Sequence, residues 1–216
     1  MPTLDLGVLV SGRGSNLQAI LDAVADGRLD ARIRLVVSNQ PNAAALDRAA
    51  QAGVPTRCVP HREFATREAF DAALLDTLRA AGAEWVVLAG FMRVLTPGFI
   101  QAFPNRIVNI HPALLPAFPG VHAQRQALDY GAKVAGCTVH FVDDGVDSGP
   151  IIAQRVVPVR DDDDTDALAA RILTEEHVLL VEVLDDLAHE RLEVVPATAG
   201  ARPRVRRRDS NNETGS

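Results

Sequence analysis

The chain has 216 residues, of which 47% are hydrophobic, enough to fill the core of one α/β domain. Its formal net charge is −6 and no basic face is evident in its body, which argues against nucleic acid as a partner. Cys58 and Cys137 are far apart, which argues against a disulfide scaffold or zinc knuckle. No run is long and apolar enough to enter a membrane, and MPTLDLGVLV contains no basic leader. We therefore expect a cytoplasmic protein.

Strands and helices alternate along the first half of the chain. Continuous apolar runs predict strands over residues 6–10, 33–37, 55–59, 85–88 and 107–110. Segments with one apolar side predict helices beginning at 17, over 43–52, over 67–81 and near 97. Short connections between such elements predict an α/β fold, a Rossmann-like and mostly parallel sheet with helices on both faces.

The second half follows a different pattern. It contains a predicted helix, two long β-branched strands, a long amphipathic helix and a last strand, at residues 123–130, 134–142, 151–157, 165–190 and 192–195. The two strands are joined by an Asp/Gly loop, which favours an antiparallel edge. We expect a single domain over 1–196 and a disordered polar tail over 197–216. Deletion of everything after Gly200 should leave stability and activity nearly intact. A nucleic-acid-binding arm is the alternative for the tail.

A glycine-rich turn separates the first predicted strand from the first predicted helix. Gly12 and Gly14 would let backbone N–H groups point inward, and the helix N-terminus that follows adds positive potential. Leu17 stands where a dinucleotide fingerprint has its third glycine, which disfavours a nicotinamide site. The turn therefore predicts a cradle for a phosphomonoester, to which Ser15 and Asn16 could also donate. The alternative is a tight turn with a helix N-cap.

Three polar side chains form the predicted catalytic group. Asn109 and His111 are two residues apart on a strand, so their side chains share one face, and Pro112 should end that strand. Asp147 follows in the loop DDGVDSGP. An amide, an imidazole and a carboxylate can hold an oxyanion, protonate it and keep the imidazole charged. The alternative is a solvated asparagine beside a structural histidine.

Other polar residues carry weaker predictions. We expect the acidic run 161–164 to complement a helix dipole and predict no metal site there. His61 is expected to have no role, whereas His140 could either line the site or pack beneath it. No G-x-S-x-G elbow surrounds Ser11 or Ser148, which disfavours a serine hydrolase.

Six segments of the chain resemble the folate-dependent formyltransferases: SGRGSNLQAI, AGFMRVL, NIHPALLPAFPG, GCTVHFV, DDGVDSGPII and TEEH. The resemblance covers about residues 5–195, in the same order and spacing. NIHPxLLPxxPG followed by DxGxxxGPI is specific to the wider family, and SGxGSN points to its members that formylate glycinamide ribonucleotide. The resemblance implies formyl transfer from 10-formyltetrahydrofolate to the amine of this ribonucleotide, in purine synthesis. It implies a folate co-substrate, no tightly bound cofactor, and a monomer or homodimer.

The resemblance also implies roles for individual residues. The catalytic residues would be Asn109, His111 and Asp147. The ribonucleotide would be held by Gly14, Ser15, Asn16 and Glu176. The formyl-folate would be held by Arg67, Met92, Arg93, Val94, Leu95, Asn109, Asp143 and Asp144. The chain departs from the pattern at Ala117, where relatives often carry a lysine, and at Leu173, where some carry a glutamine.

The implied mechanism is direct attack of the amine on the formyl carbon, without a metal. Asn109 would donate to the developing oxyanion, His111 would stabilise and protonate it, and Asp147 would stabilise the charged imidazole. Formyltetrahydrofolate deformylase, in which water replaces the amine, is the alternative. It is expected to carry an amino-terminal regulatory domain, which we do not expect in this chain. A second alternative is a phosphosugar-binding module without turnover.

Overall fold

The computed structural model describes residues 3–198 and 202–208. Its central sheet comprises β1 (Leu4–Val10), β2 (Ala31–Ser38), β3 (Thr56–Cys58), β4 (Trp85–Leu88), β5 (Ile107–His111), β6 (Val134–Phe141) and β7 (Ile151–Pro158). The helices are α1 (Ser15–Ala25), α2 (Ala44–Gln51), α3 (Arg67–Ala80), α4 (Pro97–Ala102), α5 (Ala123–Tyr130) and α6 (Thr165–Ala188), with a 3-10 turn at His61–Glu63. A separate hairpin joins β8 (Leu192–Val195) and β9 (Arg204–Arg207).

The sheet has the order β3-β2-β1-β4-β5-β6-β7. Strands β1 to β5 are parallel, whereas β6 is antiparallel to β5 and β7 is antiparallel to β6. The chain leaves β1 towards β2 on one side and returns to β4 on the other, so the strand order reverses between β1 and β4. Such a reversal opens a crevice at the carboxyl ends of the strands, where ligands bind in open α/β sheets.

Two hydrophobic clusters cover the two faces of the sheet. Alternation along β1 sends Val8 and Val10 into one cluster, with α1 and α6, and Leu9 into the other, with α3 and α4. Ile20 and Leu74, both completely buried, represent these two layers of helices. Burial of such a side chain is worth roughly 1.5–3 kcal/mol, so both layers hold the strand ends in fixed positions.

The acidic run before α6 stabilises the start of that helix, as predicted. The Asp164 carboxylate accepts a hydrogen bond of 2.7 Å from the Ala167 N–H, and Asp163 pairs with Arg171 at 2.7 Å. The helix ends at Ala188, slightly before the predicted end. Although α6 has 24 residues, no helix within 3–198 or 202–208 combines the length and apolarity needed to cross a membrane.

The C-terminal segment differs from the predicted disordered tail. Strand β9 pairs antiparallel with β8, with Val205 opposite Val194, and Val205 packs against the core. Arg207 forms an ion pair with Asp186, whose side chain is buried. Composition alone suggests a solvated segment. In the structure, Val205 packs inward and Arg207 finds an acidic partner, and both contacts support a strand here. The tail residues 199–201 and 209–216 lie outside the described part of the chain.

Candidate active site

Asn109, His111 and Asp147 meet at the carboxyl end of β5. Both strand residues project from one face, and β5 ends at His111, immediately before Pro112. The Asp147 carboxylate lies 3.4 Å from His111 Nδ1 through Oδ2 and 3.4 Å from Asn109 Nδ2 through Oδ1. The structure therefore brings together the three side chains that the sequence predicts to share a site.

His111 is buried with an oxygen acceptor at each ring nitrogen. Its Nε2 lies 2.9 Å from the carbonyl oxygen of Phe118, and its Nδ1 faces the Asp147 carboxylate. Both neighbouring oxygens accept hydrogen bonds, so each ring nitrogen of His111 faces an acceptor. The carboxylate beside Nδ1 is placed to stabilise a positive charge on this ring.

Asp147 remains a carboxylate because of its neighbours. Burial raises the pKa of the Asp147 carboxyl, but contacts with His140, the Gly120 N–H and His111 outweigh burial and leave that pKa below its ordinary 3.8. The Gly120 N–H donates to Oδ2 at 2.8 Å. The backbone of Asp147 has φ 50°, in the left-handed region, so the surrounding loop must hold it there.

His140 is a member of the site that sequence reasoning left undecided. Its Nδ1 lies 2.8 Å from the carbonyl oxygen of Phe141 and donates to it. Its Nε2 lies 3.1 Å from Asn109 Nδ2 and 3.6 Å from Asp147 Oδ1. His140 stands directly opposite Asn109 in the antiparallel β5–β6 pair. Alternation along β6 could not find this contact, because the register between the two strands decides it.

The glycine turn leads directly into α1, and Gly14 has φ 74°. A Cβ at Gly14 would lie 2.5 Å from Ala45 Cβ, so glycine is needed for packing as well as for conformation. Within the described residues, no side chain caps the start of α1. The backbone N–H groups of Ser15 and Asn16 therefore have no side-chain cap. Free N–H groups and the positive potential at the start of a helix favour binding of an anion.

Asn16 and Glu176 form a buried pair between α1 and α6. Asn16 Nδ2 donates to Glu176 Oε2 at 2.7 Å, and burial raises the pKa of the Glu176 carboxyl, partly offset by this hydrogen bond. The Asn16 Oδ1 atom is buried and has no partner among the described residues. The structure thus unites two residues predicted to hold the ribonucleotide, but the Asn16 amide donates to Glu176 and not toward the turn.

The residues predicted to hold the folate lie in three places. Arg67 and Arg93 line a cavity of about 190 Å³ next to the start of α3. Met92 and Val94 are exposed beyond β4, whereas the Leu95 side chain is buried in the core and is not available to a ligand. Asp143 accepts a 2.7 Å hydrogen bond from Ser148 Oγ within the loop. Asp144 lies in the same loop.

A polar chain crosses the crevice between β1 and β4. Ser11 Oγ accepts from the Met92 N–H at 2.8 Å and donates to Asn39 Oδ1 at 2.6 Å. The buried Asn39 in turn contacts His61, with 3.1 Å between Asn39 Nδ2 and His61 Nδ1. His61 is therefore part of this network. The strand order, which the sequence does not specify, brings these residues together.

A larger cavity of about 620 Å³ lies between α1 and α6, lined by residues including Ser15, Arg48 and His177. It adjoins the glycine turn, because Arg48 Nε donates to the Arg13 carbonyl oxygen at 2.8 Å.

Within residues 3–198 and 202–208, no three His, Cys, Asp or Glu side chains are grouped closely enough to hold a metal ion.

The formyl transferase family model matches residues 5–184, and the chain belongs to that family. This confirms the resemblance that the sequence motifs carry. The phosphoribosylglycinamide formyltransferase of Escherichia coli (strain K12) is 44% identical over 191 residues, which cover 88% of this chain and 90% of that protein. The crystal structure of glycinamide ribonucleotide transformylase 1 from Symbiobacterium toebii has a TM-score of 0.91 at 50% identity. The match covers 96% of this chain and 95% of that one, and it confirms the predicted fold class.

A second kind of relative is a much longer protein. The trifunctional purine biosynthetic protein adenosine-3 of Drosophila melanogaster is 52% identical over 174 residues. The match covers 80% of this chain but only 13% of the Drosophila protein. The chain thus spans a small part of that relative and nearly the whole of the bacterial one.

Proposed function

We propose that the protein transfers the formyl group of 10-formyltetrahydrofolate to the amine of glycinamide ribonucleotide, in purine biosynthesis. The observation that carries this proposal is the convergence of Asn109, His111 and Asp147 at one strand end. The names of the Escherichia coli and Symbiobacterium toebii relatives support the ribonucleotide as acceptor. They favour this reaction over the deformylase alternative. A cytoplasmic location and a monomeric or homodimeric state stay predictions.

In the proposed reaction, the lone pair of the acceptor amine attacks the formyl carbon, and the carbonyl electrons move onto oxygen. The tetrahedral oxyanion then collapses, the bond from carbon to the folate nitrogen breaks, and tetrahydrofolate leaves. The amine loses one proton and the departing folate nitrogen gains one, so the exchange is balanced. Every step uses the two substrates and the protein side chains, with the folate as a co-substrate that is released and not retained.

Asn109 and His111 stabilise the oxyanion in this proposal. Asn109 Nδ2 lies close to His140, and its contact with Asp147 is long, at 3.4 Å. One of its hydrogens can therefore be donated to the substrate oxygen. The His111 Nε2–H donates to the Phe118 carbonyl, so direct donation to the substrate requires an exchange of this partner. Asp147 stabilises the imidazolium throughout, because its own carboxyl stays ionised.

The two substrates would occupy opposite sides of the β1–β4 crevice. The ribonucleotide phosphate would lie at the backbone of Gly14, Ser15 and Asn16, where the start of α1 favours an anion. Glu176 would contact the same substrate, in exchange for its hydrogen bond with Asn16. The folate would lie along the segment after β4 and the loop after β6, with its anionic end near the guanidinium groups beside α3. Its proposed contacts are Arg67, Met92, Arg93, Val94, Asn109, Asp143 and Asp144.

The proposal is tested by following release of tetrahydrofolate from formyl-folate, with and without glycinamide ribonucleotide. We expect release to depend on the phosphorylated acceptor. Equal release in buffer alone would assign the chain as a deformylase. Binding of the ribonucleotide with no release under any condition would instead assign it as a phosphosugar-binding module.

A further inference from the structure

The C-terminal hairpin contacts the loop that carries Asp147. Arg202, which lies just before β9, donates from Nη1 to the carbonyl oxygen of Ser148 at 3.1 Å. Ser148 follows Asp147 directly in the chain, so this hydrogen bond holds the peptide group between Ser148 and Gly149, one residue beyond the candidate catalytic carboxylate. Nothing in the family motifs points to Arg202, which lies beyond the last motif, TEEH.

The loop needs external support, because Asp147 has a left-handed φ of 50°. A residue with a side chain keeps that conformation only where its surroundings hold it. Within the loop, Ser148 Oγ donates to Asp143 at 2.7 Å. From outside, the Gly120 N–H binds the Asp147 carboxylate at 2.8 Å and Arg202 binds the Ser148 carbonyl oxygen at 3.1 Å. One external contact thus holds the Asp147 side chain, and the other holds the backbone one residue further on.

The hairpin that presents Arg202 is itself anchored to the domain. Val205 packs against the core, Arg207 pairs with the buried Asp186, and the Arg208 N–H donates to the Arg191 carbonyl oxygen at 2.8 Å. Strand β9 also lies alongside β7, the strand that follows the Asp147 loop. Arg202 therefore extends towards the loop from a fixed frame.

We propose that Arg202 is a positioning residue, which holds the Asp147 loop so that its carboxylate faces His111 and the Gly120 N–H. The C-terminal hairpin is then part of the active-site architecture. The kinetic part of this inference rests on the proposed formyl transfer, whereas the structural part can be measured without any substrate.

The kinetic test compares Arg202→Ala with Arg206→Ala in the full chain. The control removes a similar exposed arginine of the same hairpin, whose ion pair is with Glu193 at 3.1 Å and not with the loop. We expect Arg202→Ala to lower kcat about three- to tenfold, the effect of one lost hydrogen bond, with the KM for the ribonucleotide and the unfolding midpoint unchanged. Arg202→Lys should restore part of the rate, and Arg206→Ala should behave as wild type.

The structural test is amide hydrogen exchange at Gly120, whose N–H reports the position of the Asp147 carboxylate. Exchange at Gly120 should be faster in Arg202→Ala than in wild type or Arg206→Ala. Identical Gly120 exchange in the two variants, or an equal loss of kcat in both, would overturn the positioning role. If wild type itself transfers no formyl group, the proposed function fails while the exchange comparison still decides the role of Arg202.

Discussion

At the residue scale, the charge of Asp147 is the feature on which the imidazolium of His111 depends. Asp147→Asn keeps the shape of the side chain but removes that charge. We expect kcat to fall by about 100- to 1000-fold, as for loss of a group that stabilises an oxyanion, with a smaller change in KM. Steady-state kinetics measure both constants. A kcat close to that of wild type would contradict the proposed pairing.

His140 and Asn109 should act as one unit. His140 Nε2 lies 3.1 Å from Asn109 Nδ2, and this contact helps to orient the amide towards the substrate. Asn109→Ala should lower kcat by about 100-fold or more, and His140→Ala by less, because Asn109 remains but loses its orientation. In the double variant the His140 change should add little, which a double-mutant cycle of kcat measures. Full additivity would show that the two side chains act independently.

At the element scale, the start of α6 depends on ionised Asp163. Its hydrogen bond with Arg171 lowers the pKa of the Asp163 carboxyl to about 2. Because the folded pKa lies below the ordinary 3.8, this stabilisation is present above pH 3.8 and is lost as pH falls towards 2. Asp163→Asn should therefore lower the urea midpoint at pH 7 more than at pH 2.

Asp161→Asn is the matched control for that prediction. Asp161 lies in the same acidic run but pairs with Lys133 in solvent, where its side chain is 92% exposed. Exposed pairs of this kind contribute little, so the control should leave the midpoint at pH 7 nearly unchanged. A loss as large as that of Asp163→Asn would mean that charge at the helix start, and not the contact with Arg171, provides the stability.

The C-terminal hairpin gives a second prediction at this scale. Ending the chain at Thr198 removes β9 with its inward Val205 and takes Arg207 away from the buried Asp186. We expect the melting temperature to fall by several degrees, since losses of about 1 kcal/mol shift it by about 2–4 °C in domains of this size. A chain ending at Arg208 keeps all of these contacts and should melt as wild type. Equal melting of both truncated chains would support the original expectation of a disordered tail.

The elements themselves were largely predictable from sequence. Buried parallel strands such as β1 and β4 are continuous apolar runs, and glycine or proline marks their ends. β9 was not predictable, because Arg204-Val205-Arg206-Arg207 contains one apolar residue and its order depends on partners distant in sequence. Local composition shows how much apolar surface a segment can bury, but it does not show which charged residues distant in sequence will pair with it.

At the scale of the whole molecule, the site residues that could be predicted are those that belong to a sequence motif. Asn109 and His111 lie on one strand, and Asp147 belongs to a distinctive glycine-rich loop. The contact of His140 with Asn109 required the β5–β6 register, and the network from Met92 through Ser11 to Asn39 required the strand order. Strand pairing brings such residues together, and a single sequence does not state which strands pair.

The Asn16–Glu176 hydrogen bond has a consequence for the nascent chain. The two partners are 160 positions apart, so the glycine turn leaves the ribosome long before α6 can cover it. Until α6 is synthesised, Asn16 lacks its partner Glu176, and the proposed ribonucleotide site is incomplete. Acceptor binding therefore cannot assist the early stages of folding during synthesis. The ligand can stabilise only a domain whose final long helix has already docked.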